Sequence, residues 1–117
     1  MLCGMKGDGI VNDELKALLA RIHTRPALYI GFPSLSRLLD YVYGYIDCMH
    51  VRDGKIPAFL PYDFYDYVLE YYGIEHSIRS LSDTMRFFES SEEDAFERFF
   101  VLLEEAWARE SDKEIKK

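Results

Sequence analysis

The chain has 117 residues and a formal net charge of -7; 49% of its residues are hydrophobic, 15% aromatic and 30% charged. That size and apolar content suffice for one globular domain that buries roughly two thirds of the surface its unfolded form exposes, with no need of a disulfide or metal. The aromatic content excludes an intrinsically disordered chain, and the pI near 4.9 argues against a protein that holds nucleic acid through its phosphates.

Taken in chain order, the sequence reads as helices. Asn12 is a candidate N-cap, Asp13 and Glu14 suit a first turn, and Leu15, Leu18, Leu19 and Ile22 follow at helical spacing. Pro26 disfavours helical geometry at Arg25, so this helix ends near Thr24, and Arg25–Gly31 reads as an extended connector packed on the domain. A long central helix starts around Pro33-Ser34, with Leu35, Leu38, Leu39, Val42, Ile46 and Met49 on one stripe. Gly44 within it suggests close approach of another helix or a mild kink. Arg52–Lys55 forms a turn, and Pro57 and Pro61 bracket a loop.

From Tyr62 to Tyr72 the acids Asp63, Asp66 and Glu70 share one helical face, beside Phe64, Tyr67, Val68 and Tyr71, with Gly73 as the C-cap. Ile78, Leu81, Met85 and Phe88 predict a further helix within Ser77–Phe88. The last helix opens on a capping box, Ser90 at the N-cap and Glu93 at N3, and carries a wide stripe of Ala95, Phe96, Phe99, Phe100, Leu103, Ala106 and Trp107. The predicted fold is therefore all-α, an irregular bundle of about five helices in a single domain spanning residues 1–117. Residues 1–9, with three glycines, and the charged tail 111–117 are expected to be mobile.

The N-terminal residues lack the apolar run of a secretory signal, and no apolar stretch approaches the ~18 residues of a membrane span. The expected location is the cytoplasm, with Cys3 and Cys48 as reduced thiols. Residue chemistry offers no reaction. His23, His50 and His76 fit no metal-ligand spacing. Cys48 and His50 diverge on a helix, leaving Cys48 to read as a small buried hydrophobe. No phosphate-binding glycine motif is present. Asp63, Asp66 and Glu70 could serve acid/base work or hold a divalent ion, but no histidine, lysine or nucleophile accompanies them, and a solvated helix face explains them equally well. Neither a cofactor nor a metal is expected.

Charge is distributed unevenly. Residues 1–61 hold seven Lys/Arg and six Asp/Glu, residues 62–110 hold four and thirteen, and residues 111–117 hold three and two, giving nets of +1, -9 and +1. Such an acidic half repels nucleic acid and attracts cationic partners, although solubility alone also explains it. Tyr62, Tyr65 and Tyr72 beside Asp63, Asp66 and Glu70, together with Glu93, Asp94 and Glu97, combine aromatic contact area with carboxylates for Arg/Lys pairing. These nine residues are the candidate partner-binding set.

Three segments carry a family resemblance: Arg25–Gly31 (Arg-Pro-Ala-Leu-Tyr-Ile-Gly), Pro33-Ser34-Leu35 running into Leu38-Leu39 and Gly44-Tyr45, and Glu93–Leu103. In this order they resemble small, mostly helical bacterial immunity proteins of polymorphic or contact-dependent growth-inhibition toxin systems. The pattern departs at Ile78-Arg79-Ser80, where a tryptophan is expected. Arg25–Gly31 is also similar to a segment of type II topoisomerase ATPase domains, whose nucleotide-binding elements have no counterpart here. The immunity resemblance implies a non-enzymatic inhibitor that binds a cognate toxin in the bacterial cytoplasm. With the charge map it leads to masking of a basic active site, a nuclease being the first choice. An acidic helical adaptor or homodimer is the rival reading, and an enzyme or small-ligand binder would need a deep pocket of converging polar groups.

Overall fold

A computed structural model describes residues 11–116, with side chains described to residue 110. The described residues form six helices and no strand: α1 (Asp13–Thr24), α2 (Pro26–Ile30), α3 (Leu35–Asp53), α4 (Phe64–Tyr72), α5 (Leu81–Phe88) and α6 (Glu92–Lys116). The all-α bundle is as expected, with one helix more. The expectation for residues 1–9 lies outside the described residues, as do Lys117 and the side chains of 111–116; the helical backbone itself runs to Lys116.

The first helix forms as its sequence dictates. Asn12 Oδ1 accepts the Leu15 N–H at 3.1 Å, and Asp13 and Glu14 sit at the positive end of the helix dipole. Leu15, Leu18, Leu19 and Ile22 are all buried. The extended connector expected at Arg25–Gly31 is instead α2. The pre-proline constraint acts on Arg25, whose φ of -137° and ψ of 66° break the chain direction, while Pro26 at the first helical position lacks only an N–H that would have no helical partner anyway. Gly31 then ends α2 at a φ of 91°.

Helix α3 is the central element, capped by Ser34, whose Oγ accepts the Arg37 N–H at 3.3 Å. Leu35, Leu38, Leu39, Val42 and Met49 are buried along one stripe and Ile46 is half-buried. Two expectations on α3 are corrected. Cys48 is exposed rather than buried, because at 100° per residue it lies roughly 120° from the stripe centre. Gly44 faces open space, with no atom of the described residues within 4 Å of an added Cβ, so none of the described helices approaches there.

Helix α4 ends in a Schellman arrangement: Gly73 adopts a φ of 76°, the Ile74 N–H donates to the Leu69 carbonyl at 3.0 Å, and the Gly73 N–H donates to Glu70 at 3.1 Å. The helix expected from Ser77 begins only at Leu81. Ser80 is its N-cap, its Oγ accepting the Asp83 N–H at 3.2 Å, which leaves 74–80 irregular and Ile78 fully exposed rather than on a buried stripe. The last cap also shifts by one residue. Ser91, not Ser90, accepts the Asp94 N–H at 3.0 Å.

Helix α6 supplies much of the core through Phe96, Phe99, Phe100, Leu102, Leu103 and Ala106. It packs against α3, α4 and α5; Phe64 meets Phe99 edge-on at 5.6 Å, and His23 of α1 stacks on Phe100 at 4.0 Å. Its first residue joins two helices. Glu92 Oε1 accepts the Ser36 N–H and the Ser34 hydroxyl, both at 3.0 Å, and Oε2 accepts the Ser36 hydroxyl at 2.9 Å. A carboxylate on one helix thus caps the positive N-terminus of another, and Arg86 Nε completes it at 2.8 Å. Burial opposes the charge on Glu92, but the backbone and hydroxyl bonds from Ser36 and Ser34 outweigh it and hold the carboxyl below its ordinary value.

Candidate partner-binding face

Helices α4, α5 and α6 carry the acidic half of the chain. Of the nine residues predicted to face a partner, Asp66, Glu70, Glu93, Asp94 and Glu97 are exposed, and Tyr62 is exposed at the entrance to α4. The other three are engaged internally. Asp63 is half-buried and meets Arg109 Nη2 at 3.3 Å. Tyr65 donates its hydroxyl to the Arg79 carbonyl at 2.6 Å. Tyr72 donates to Glu89 Oε2 at 2.6 Å, and burial followed by that carboxylate pushes its phenol upward. Glu97 lies 3.2 Å from His23 Nε2.

The set is also divided in space. Asp63 sits beside Arg109, whereas Glu93, Asp94 and Glu97 occupy the opening turns of α6, about 18–24 Å from Arg109 along the helix at 1.5 Å per residue. Asp66 and Glu70 lie on α4, one turn apart. With any described residue, Asp66, Glu70, Glu75, Glu93 and Asp94 make no ion pair, whereas three of the four arginines in this half do: Arg86 with Asp83 and Glu92, Arg98 with Glu89, and Arg109 with Asp63. Unneutralised charge on this half is therefore negative.

The structure adds an apolar feature that helical spacing in the sequence concealed. Tyr71 meets Tyr72 edge-on at 4.9 Å, Tyr72 stacks on Phe88 at 4.7 Å, and Phe88 meets Phe87 edge-on at 5.0 Å. Arg79 covers the Phe87 ring at 4.4 Å, and Arg98 lies 5.3 Å from Tyr71. Tyr71, Phe87 and Phe88 are nonetheless exposed, Phe87 at 62% of its full accessibility, and Ile78 is completely open. The Ile74–Arg79 segment and Phe87–Phe88 line a surface groove of about 540 Å³. Adjacent aromatics at 87 and 88, at the end of a short helix, are the sequence signal for it.

The groove is held in shape. Thr84, itself buried, brings its hydroxyl to 3.2 Å from the Tyr65 oxygen and 3.3 Å from Ser77 Oγ. Ser77 Oγ accepts the Arg79 N–H at 3.0 Å. Tyr65 thus pins the segment that displays Ile78, so its role is to position the face.

A second groove of about 400 Å³ lies between α1 and α2, lined by Arg21, Arg25, Leu28 and Tyr29 among others. It lies outside the acidic half. Among the described residues no three His, Cys, Asp or Glu side chains gather as a metal site requires, and no helix is long and apolar enough to cross a membrane. Compared with family models, curated proteins and solved structures, the chain matches none.

Proposed function

We propose that the chain is a non-enzymatic protein-binding inhibitor, an immunity protein that neutralises a basic toxin in the bacterial cytoplasm by covering its active site. The observation that carries this reading is the coincidence, on one three-helix half, of unpaired carboxylates with exposed aromatic and aliphatic side chains. Contiguous exposed apolar surface rimmed by charge marks protein interaction sites, and a field of one sign raises encounter rates with a partner of the other. A nuclease, whose active site must attract phosphate, is the first toxin class to test.

The rival reading, a homodimer or acidic adaptor, also buries the apolar groove. A symmetric pair docked through this face, however, sets two halves of net charge -9 against each other, which costs association energy at low salt.

The test is coexpression with the toxin candidate encoded by the adjacent reading frame. Growth arrest by that polypeptide should be relieved by the wild-type chain and not by an Asp66→Lys, Glu70→Lys double variant, whose sites are exposed and lack internal ion pairs. A neighbour without toxicity, or equal protection by both proteins, overturns the reading. Asp63 is left intact because its reversal would break the Arg109 contact.

A further inference from the structure

The groove at the α4–α5 junction is built from side chains that a helical domain gains nothing by displaying. Ile78 is completely exposed and Phe87 largely so, although burying either would stabilise the fold. Neither is on a loose segment. The Tyr65 bond to the Arg79 carbonyl, the Thr84 and Ser77 hydroxyls and the run of rings from Tyr71 to Phe87 fix the walls before anything binds. A preformed wall reduces the ordering cost of association.

The surroundings select the occupant. Glu75 lies in the chain between the lining residues Ile74 and His76, and Glu70 precedes them near the end of α4; both are exposed and neither makes an ion pair with a described residue. The basic groups of the lining are His76 and Arg79, the latter laid over Phe87, while the half that carries the groove has a net charge of -9. A groove of about 540 Å³ has room for a large apolar side chain together with the backbone that carries it. We propose that this groove is an anchor pocket: it takes one large apolar side chain of a partner polypeptide, with Lys or Arg residues flanking that anchor paired to Glu70 and Glu75. The proposal deepens the inhibitor reading and rests on it only in requiring the partner to be basic. A second copy of the chain is a poor occupant, because it carries the same negative charge to the same place.

The experiment needs no toxin. Amide resonances of the isotope-labelled full chain are followed during titration with three short synthetic peptides: a central Leu flanked by Lys and Arg, the same flanks around a central Ser, and a central Leu flanked by Glu. The first should give saturable shifts at Ile74–Arg79, Phe87 and Phe88, with binding weakened about tenfold or more, 1.4 kcal/mol or more, for each of the others. Ile78→Ser and Phe87→Ser should weaken the first peptide similarly while leaving the melting temperature nearly unchanged, since both residues are exposed. No saturable shift with the first peptide, shifts centred elsewhere, or equal binding of the basic and acidic peptides overturns the proposal. So does a dimer in sedimentation that Phe87→Ser dissociates, which would give the groove to a second copy. Failed growth protection with a normal titration removes the toxin and keeps the pocket; protection without the titration shifts moves the docking site elsewhere on the face.

Discussion

Replacing Glu92 by alanine removes the carboxylate that joins α6 to the start of α3. Four donors lose their acceptor: the Ser36 N–H, the Ser34 and Ser36 hydroxyls, and Arg86 Nε. Arg86 keeps Asp83 at 3.2 Å, and the Ser36 hydroxyl can turn to water, so the cost falls mainly on the Ser36 N–H and the buried Ser34 hydroxyl. At about 1.5 kcal/mol for each hydrogen bond to a charged group, the low end of the range, the loss is about 3 kcal/mol. For a domain of this size that lowers the melting temperature by about 12 °C, at ~4 °C per kcal/mol. Glu92→Gln keeps one acceptor oxygen without the charge and should lose about half as much.

Urea unfolding followed by circular dichroism measures both differences. Because the folded-state pKa of Glu92 is below its ordinary value of 4.5, its ionisation stabilises the fold fully above that value and progressively less as pH falls through the lower folded one. The gap between wild type and Glu92→Gln should therefore hold from neutral pH down to mildly acidic conditions and narrow below 4.5. A loss under about 1 kcal/mol for the alanine variant at neutral pH, or a gap that widens on acidification, would refute the reasoning.

Other expectations follow from single positions. Gly44→Ala should stabilise the protein by about 0.5–1 kcal/mol in the same unfolding assay, because the added methyl group meets open space in mid-helix; destabilisation would show an unseen packing demand. Phe99→Ala should cost about 3–5 kcal/mol, since its ring is fully buried against Phe64 and Phe100. In a Cys3→Ser background, Cys48 should react with a maleimide in the native protein as fast as in urea, matching its exposure; protection in the native state would contradict the orientation of α3.

Much of the bundle was legible because short-range rules decide it. The cap at Asn12, the stripes of α1, α3 and α6, and the stop at Gly73 each depend on neighbours within a turn or so. The misreadings have distinct causes. At Pro26 the steric constraint falls on Arg25 alone, and the proline itself is at home at a helix start. At Cys48 residue type favours burial but angular position decides: the stripe defined by Leu38, Val42 and Met49 points away from it. Ser90 and Glu93 fit a capping box locally, yet Ser91 takes the cap. Glu92 is claimed by Ser34 and Ser36, more than fifty residues earlier, and no local rule contains that contact.

The candidate face was legible only in its charge. The exposure of Asp66, Glu70, Glu93, Asp94 and Glu97 follows from helix position. The internal duties of Tyr65 and Tyr72 depend on Arg79 and Glu89, which tertiary packing brings to them. The groove is not legible in the sequence because Ile78, Leu81, Met85 and Phe88 keep helical spacing across a segment in which Ser80 starts the helix later.

The most direct test of the account is the binding footprint on the full chain of the toxin candidate encoded beside it, read by hydrogen exchange in the purified complex. Protection is predicted at Ile74–Arg79 and Phe87–Phe88, extending to the exposed turns of α4 and the opening of α6, with association slowing as salt rises. Protection centred on the Arg21, Arg25 and Leu28 groove, or an association rate indifferent to salt, would contradict it.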